Sequence, residues 1–116
     1  MEIYDYLTAG GKNVITEYID SLPENERLEL YDIRKEIRGS GLDAFEKLKT
    51  RQLRGKLWEI KSSQTRIMYV IISKDGVAFL HISKKQKGKA EKQEIETALR
   101  RAKEEGLLKL GEKLCL

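Results

Sequence analysis

Cysteine, histidine and proline are almost absent from this chain. Among its 116 residues there is one Cys, one His and one Pro. The single cysteine, Cys115, excludes an intrachain disulfide and fits a reducing compartment. One Cys and one His leave too few soft ligands for a structural zinc site, so no metal and no other cofactor is predicted. With Pro23 as the only proline, no proline-rich linker divides the chain.

Long apolar runs are missing as well. No stretch approaches the length of a transmembrane helix, and residues 1–5 lack the positive start of a secretory signal peptide. We therefore expect a cytoplasmic protein that does not engage a membrane. A chain with 40% hydrophobic and 36% charged residues suits one globular domain, expected over residues 1–105. Residues 106–116 form a short leucine-containing tail, expected either to fold back or to meet a partner.

The two signs of charge are unevenly distributed along the chain. It carries 23 Lys and Arg against 19 Asp and Glu, a net charge of +4 that permits an anionic partner without requiring one. Acidic residues concentrate between Glu17 and Glu36, whereas basic residues dominate between Lys47 and Lys92. This asymmetry is more informative than the net charge, because it separates an acidic part of the chain from a basic part.

The first part of the chain has the spacing of helices. After a short strand at about residues 3–7, apolar residues recur at helical spacing over about residues 13–21, which predicts a first helix. Residues 21–24, Ser-Leu-Pro-Glu, have the residue types of a helix start. They predict a second helix that ends at Gly39 and Gly41.

From Leu57 onwards the pattern changes to that of strands. Three segments rich in Ile, Val, Tyr, Phe and Trp, at residues 57–61, 66–73 and 77–83, are bounded by turn residues. They predict a three-stranded antiparallel meander, followed by a last helix at about residues 90–105. The expected fold class is α+β: a short N-terminal strand, two helices, a three-stranded antiparallel meander and a C-terminal helix, with the helices on one face of the sheet.

Two-residue turns would set the register of this meander. Asp75-Gly76 is a strong hairpin signal, and a similar turn fits at residues 63–64. Lys61 would then face Arg66, and Arg66 would face Lys85, so that three cations meet at one end of the sheet. Like charges across a strand pair repel, and local rules are often broken at functional sites. A bound phosphate would relieve the repulsion, and clustered cations could lower the proton affinity of a lysine enough for acid–base work.

The same register assigns side chains to two faces. The apolar face should bury against the helices and contains Trp58, Ile60, Ile67, Tyr69, Ile71, Ala78, Leu80 and Ile82. The other face should stay open and includes Glu59, Lys61, Arg66, Phe79, His81 and Lys85. The alternative interpretation is that basic residues on an open sheet face are only a solvated surface, which composition alone favours.

Three stretches of the chain resemble the RelE/HigB toxin family, especially its phage-derived branch. They are YIDSLP at 18–23, LRGKLWEIK at 53–61 with RIMY at 66–69, and LHISKKQK at 80–87 with EIETA at 94–98. The resemblance implies a RelE-like fold and a metal-independent endoribonuclease that cleaves mRNA, often on the ribosome. It also implies a cognate antitoxin, expected to contain a helix-turn-helix domain.

The resemblance further implies that the active site is the basic face of the sheet. Lys61 and Arg66 match basic positions of the first two meander strands, and Lys84, Lys85 and Lys87 match the basic cluster before the last helix. In the implied reaction the RNA 2′-hydroxyl attacks the adjacent phosphate, leaving a cyclic phosphate and a 5′-hydroxyl. The protein would align this attack and stabilise charge on the phosphate oxygens.

The general base is left open by the sequence. Many RelE-type toxins carry a tyrosine near the start of the last helix, but no tyrosine lies between Ile82 and Leu99. Glu59 also stands where some members have a basic residue. Glu59, His81 and Lys61 are the candidates.

Five further residues are expected to bind RNA, and two other functions remain open. Arg54, Lys56, Lys84 and Lys87 would hold the flanking backbone, and Phe79 would stack on a base or fill a partner contact. One alternative is a ParE-like toxin of the same fold that poisons DNA gyrase. The other is a non-catalytic RNA- or protein-binding module that uses the same basic patch.

Overall fold

Four helices and a five-stranded sheet form the part of the chain that the computed structural model describes, residues 1–107. Most of the predicted tail, including Cys115, lies outside these described residues. The elements are β1 (Glu2–Asp5), α1 (Val14–Asp20), α2 (Glu24–Ser40), α3 (Leu42–Lys47), β2 (Lys49–Arg54), β3 (Leu57–Ser62), β4 (Thr65–Ser73), β5 (Gly76–Lys84) and α4 (Lys89–Glu104).

The sheet has the strand order β1-β5-β4-β3-β2. β1 pairs in parallel with β5, and the other neighbours pair antiparallel. The mixed α+β class is as predicted, and the meander is present as β3-β4-β5. The prediction missed α3 and β2. The β2 segment, KTRQLR, has a single apolar residue, so no hydrophobic alternation marks it as a strand, and pairing with β3 holds it in the sheet.

Helices cover both faces of the sheet, so the prediction that they lie on one face is wrong. One core joins α1, α2 and α3 to the sheet, and a second core joins α4 to the opposite face. The physical reason is visible in β4, where residues 65–70 are all buried. A strand that is apolar on both sides must be covered on both sides.

A register irregularity in β5 changes which residues face each core. Met68 pairs with His81 and Tyr69 with Phe79, so Leu80 is the extra residue of a β-bulge. Phe79 therefore belongs to the core beneath α1 and α2 and is fully buried. The prediction that Phe79 lies on an open face is wrong, and Leu80, predicted to lie in that first core, packs in the core beneath α4.

A buried ion pair joins β1 to α2. Arg34 donates hydrogen bonds from Nη1 and Nη2 to the two carboxylate oxygens of Asp5, each at 2.8 Å, and both side chains are less than a tenth exposed. Asp5 Oδ2 also accepts a hydrogen bond from the side chain of Asn13 at 3.1 Å. Asn13 Oδ1 in turn accepts from the backbone N–H groups of Ile15 and Thr16 and caps α1. One carboxylate thus fixes β1, α1 and α2 together.

Replacing Arg34 by alanine is expected to lower the free energy of unfolding by about 3–5 kcal/mol, because Asp5 is left buried without its partner charge. Urea denaturation followed by circular dichroism measures the change. The matched control is Arg38→Ala, an exposed arginine one turn further along α2, which should shift stability by less than about 0.5 kcal/mol. A loss for Arg34→Ala below about 1 kcal/mol, the range of exposed ion pairs, would contradict this role.

Candidate active site

A shallow surface depression, too small to enclose a water molecule, lies between the ends of β4 and β5 and the first turns of α4, and we call it the cleft. Arg66 projects into it from β4, and Glu91 and Glu94 project from α4. The remaining lining residues are Met68, Ser83, Lys84 and Gln86. α4 begins at Lys89 beside this cleft, so the positive end of its helix dipole lies there.

A row of basic side chains crosses the sheet at the same end. Lys49 of β2 pairs with Lys61 of β3, Lys61 pairs with Arg66 of β4, and Arg66 pairs with Ser83 of β5. Residues directly opposite in a sheet share a face, so these three cations lie side by side. The predicted opposition of Lys61 and Arg66 is confirmed. We call Lys49, Lys61 and Arg66 the cation row.

Lys85 is not part of this row, and the prediction that it faces Arg66 is wrong. The turn between β4 and β5 falls at residues 74–75, one residue earlier than Asp75-Gly76, because Ser73 pairs with Gly76. That shift places Ser83 opposite Arg66 and moves Lys85 beyond the end of β5, where it is exposed. Its backbone N–H donates to the carbonyl oxygen of Gln64.

A fully buried glutamate lies at the centre of the site. Glu59 Oε2 is 2.9 Å from Nε of Arg51 and 3.2 Å from Nη1 of Arg66. Arg51 Nη2 also contacts Glu91 Oε1 at 2.6 Å, and Arg66 Nη1 lies 3.9 Å from the same oxygen. The four side chains therefore form a closed network of alternating charge, which we call the Glu59 network.

The Glu59 network holds its two arginines in place. Burial opposes the charge on Arg51, but hydrogen bonds to Glu91 and Glu59 and their negative charges outweigh it and raise the pKa of its guanidinium above the ordinary value. Arg66 is 7% exposed, so its guanidinium is held between the core and the cleft. The carboxylate of Glu59 thus offsets the repulsion that the pairing of Lys61 with Arg66 would create.

His81 links the sheet to α4. Its Nδ1 lies 3.1 Å from Nη1 of Arg101, and its Nε2 is hydrogen-bonded to Glu94 Oε2. A guanidinium can only donate, so Nδ1 accepts the bond from Arg101, which leaves the ring hydrogen on Nε2 to be donated to Glu94. The bulge at Leu80 brings His81 to this face, because Leu80 and His81 both lie on the α4 side of the sheet.

The other predicted RNA-binding residues fall in three places. Lys84 lines the cleft, and Lys87 is exposed in the loop that leads to α4. Arg54 ends β2 opposite Leu57, and Lys56 lies in the turn between β2 and β3. Both are at the other end of these strands from Lys61, about 13 Å away along β3. Phe79 is excluded, because its buried ring cannot reach a base.

The sequence prediction missed four residues of this site. Lys49 and Arg51 belong to the unpredicted strand β2, where their spacing of two was the only sign that they share a face. Glu91 and Glu94 belong to the predicted last helix, and their spacing of three was visible as a shared helix face. Because neither β2 nor the packing of α4 on the sheet was predicted, nothing in the sequence indicated which residues these two glutamates would contact.

Within residues 1–107 no helix has the length and hydropathy needed to cross a membrane. In the same part of the chain no group of three or more Asp, Glu, His or Cys residues is arranged to hold a metal ion.

The fold and the cleft define a small α+β protein with a basic site at one end of a mixed sheet. The family of phage-derived Gp49-like proteins (DUF891) matches residues 17–103, a range that includes every residue of the cleft and of the cation row. The chain belongs to this family, which is a toxin-like family of toxin–antitoxin systems and implies an antitoxin partner. A comparison with curated proteins gave no match.

Replacing Glu59 by glutamine is expected to lower the free energy of unfolding by about 3 kcal/mol, because Arg66 is left buried without its partner charge. This is the low end of the range for broken buried ion pairs, since Arg51 is 42% exposed and can turn into water. Chemical denaturation measures the loss, with the exposed Glu96→Gln on α4 as the control.

The double variant Glu59→Leu/Arg66→Met should regain most of that stability, because a buried ion pair can be replaced by apolar residues at little cost. Equal losses in the single and double variants would show that Glu59 does not act through Arg66.

Proposed function

We propose that this toxin-like protein is a metal-independent endoribonuclease of the RelE/HigB type, which cleaves mRNA at the cleft beside Arg66. The observation that carries the proposal is the cation row, in which Arg66 is fixed by the buried carboxylate of Glu59. Family membership supports the toxin part of the proposal, and the geometry supports the choice of a phosphodiester as the ligand.

The balance of charges favours a polyanion at this end of the sheet. Glu59 and Glu91 offset the charges of Arg51 and Arg66. Lys49, Lys61 and Lys84 make no salt bridge with a carboxylate among residues 1–107, and Lys85 and Lys87 are exposed nearby. The N-terminus of α4 adds to this positive potential, so RNA phosphates would be attracted to the cleft.

The arrangement suits cleavage by the RNA 2′-hydroxyl. Arg66 is bound to Glu59 through Nη1, which leaves other N–H groups of its planar guanidinium to donate to phosphate oxygens. A donor whose position is already fixed stabilises charge as it develops without having to reorganise. Lys61, beside Arg66, would contribute a further positive charge or donate a proton, and the product ends would be a cyclic phosphate and a 5′-hydroxyl.

The remaining cations would guide the flanking RNA. Lys84 lines the cleft, and Lys85 and Lys87 lie in the exposed segment between β5 and α4. Arg54 at the end of β2 and Lys56 in the turn that follows would contact RNA further along the sheet. Ribosome-bound message, a cytoplasmic location and an antitoxin with a helix-turn-helix domain complete the proposal. They rest on the resemblance to RelE/HigB toxins.

The direct test compares the wild-type chain with Lys49→Ala/Lys61→Ala, which removes two cations outside the Glu59 network. Expression in bacteria and incubation with a defined message, free and on programmed ribosomes, should show cleavage by the wild type. The double variant should cut about 100-fold more slowly, in line with the loss of charge stabilisation in a transition state. Lys35→Ala/Arg38→Ala on α2, two exposed basic residues elsewhere, is the matched control and should cut normally.

Three other outcomes would each contradict part of the proposal. Growth arrest with intact message and damaged DNA would favour the gyrase-poisoning function. RNA binding without cleavage would favour the binding module. Cleavage that is unchanged in Lys49→Ala/Lys61→Ala would exclude Lys49 and Lys61 from the mechanism.

RNA affinity measured over a range of salt concentrations gives a second prediction. Each lysine that neutralises a phosphate contributes about 0.7 to the slope of log affinity against log salt for a single strand. The slope of Lys49→Ala/Lys61→Ala should therefore be smaller than that of the wild type by about 1.4. Fluorescence anisotropy with a short RNA, 2′-O-methylated to prevent cleavage, measures it. An unchanged slope would place the RNA elsewhere.

A further inference from the structure

Glu94 is an accessible carboxylate in the cleft beside Arg66. It projects from the second turn of α4 and lines the cleft with Arg66 and Ser83. Its side chain is 28% exposed, whereas Glu59 is fully buried. A ligand in the cleft can therefore reach Glu94 but cannot reach Glu59 without breaking the Glu59 network.

Glu94 also differs from the other acid in the cleft. Glu91 is bonded to Arg51 at 2.6 Å and lies 3.9 Å from Arg66, so its charge is neutralised. The partner of Glu94 is His81, whose ring must accept at Nδ1 and therefore donates from Nε2 as a neutral group. Glu94 is thus held by a hydrogen bond that leaves its negative charge in place.

A series of contacts holds the His81 ring on the side that faces away from Glu94. Arg101 Nη1 donates to the carbonyl oxygen of Leu80 at 2.9 Å as well as to His81. The Arg101 guanidinium lies over the ring of Tyr6, 4.5 Å from its centre. The Tyr6 hydroxyl donates to Glu104 at 2.9 Å, and this hydrogen bond raises the pKa of Tyr6. The imidazole is therefore tied to β5, to α4 and to the segment after β1.

We propose that Glu94 is the catalytic base of this site, and that His81 and Arg101 are positioning residues that aim its carboxylate into the cleft. The inference rests on the proposed endoribonuclease function and deepens it. Among the three candidates from the sequence, Glu59 is inaccessible, Lys61 is part of the cation row, and both ring nitrogens of His81 are engaged. None of them offers the free, charged oxygen that Glu94 offers.

Glu94 and water carry the protons in the proposed step. A carboxylate oxygen of Glu94 takes the proton of the RNA 2′-hydroxyl while the 2′-oxygen forms a bond to phosphorus. The bond from phosphorus to the 5′-oxygen breaks with its electron pair, and that oxygen takes a proton from water. The hydroxide that remains takes the proton from Glu94, which restores the carboxylate. The products are a 2′,3′-cyclic phosphate and a 5′-hydroxyl.

The first test replaces Glu94 by glutamine, which keeps the size and the hydrogen-bonding capacity but cannot take a proton. Cleavage of the defined message under single-turnover conditions should be slowed by about 100- to 10,000-fold, with RNA affinity changed by less than a factor of about 3. Glu96→Gln, an exposed neighbour on α4, is the control and should cleave at the wild-type rate.

A second test separates chemistry from structure. In Glu94→Ala the lost carboxylate leaves space in the cleft, and added formate or acetate should restore part of the cleavage rate in proportion to its concentration. Chloride at the same ionic strength should not. A residue with only a structural role would show no such rescue.

A third variant tests whether His81 positions Glu94. His81→Asn removes the ring that spans Arg101 and Glu94, and it should lower the maximal rate about 10-fold or more while leaving RNA affinity near the wild-type value. Carboxylate rescue should have no effect in this variant, because Glu94 is still present.

These outcomes distinguish the two proposals. If Glu94→Gln cleaves like the wild type while Lys49→Ala/Lys61→Ala does not, the assignment of Glu94 is overturned and the endoribonuclease function stands. If the wild-type chain cleaves neither free nor ribosome-bound message, the function falls and the assignment falls with it. A Glu94→Gln variant that no longer binds RNA would make Glu94 a binding residue and overturn its role as base.

Discussion

The functional end of this protein depends on one buried negative charge. Glu59 sits in the sheet with no exposure to solvent, and it binds Arg51 and Arg66 from the two neighbouring strands. A buried carboxylate is costly unless it is paired, so the two arginines are required by the fold as well as available to a ligand. The same interaction allows Lys61 to lie beside Arg66 without prohibitive repulsion. The positive surface at the cleft is therefore a consequence of how β2, β3 and β4 are held together.

Local signals in the sequence were enough for the elements with strong periodicity. The residue types at 21–24 indicated where α2 begins, although Ser21 caps the end of α1 and α2 has no side-chain cap. The Ile- and Val-rich segments indicated the meander. The missing strand β2 has almost no apolar residues, and it exists because its backbone pairs with β3 and Arg51 pairs with Glu59. The bulge at Leu80 was equally invisible, because an extra residue in a strand leaves the composition unchanged. Phe79 and Leu80 therefore lie on the faces opposite to those predicted, whereas His81 and Ser83 share a face with Met68 and Arg66 as predicted.

The sequence predicted the part of the candidate site that one turn determines. It did not predict the part that depends on how several elements pack together. Lys61 and Arg66 were placed together because residues 63–64 form the expected two-residue turn. Lys85 was misplaced because the next turn begins one residue earlier than the Asp-Gly signal suggests. Glu94 could not be found at all, since its significance comes from α4 covering a sheet face that was expected to be open. The sequence contains the residues of such a site, but the packing of helices and strands determines which of them come into contact.

The central claim is that an RNA phosphodiester binds at the cleft beside Arg66, between the cation row and α4. The most direct measurement is a nuclear magnetic resonance titration of the isotopically labelled chain with a short RNA that is 2′-O-methylated to prevent cleavage. We predict that the largest shifts will come from the side-chain N–H groups of Arg66 and from the backbone of residues 83–91. Shifts confined to α2 and the opposite face, with Arg66 unaffected, would contradict the account.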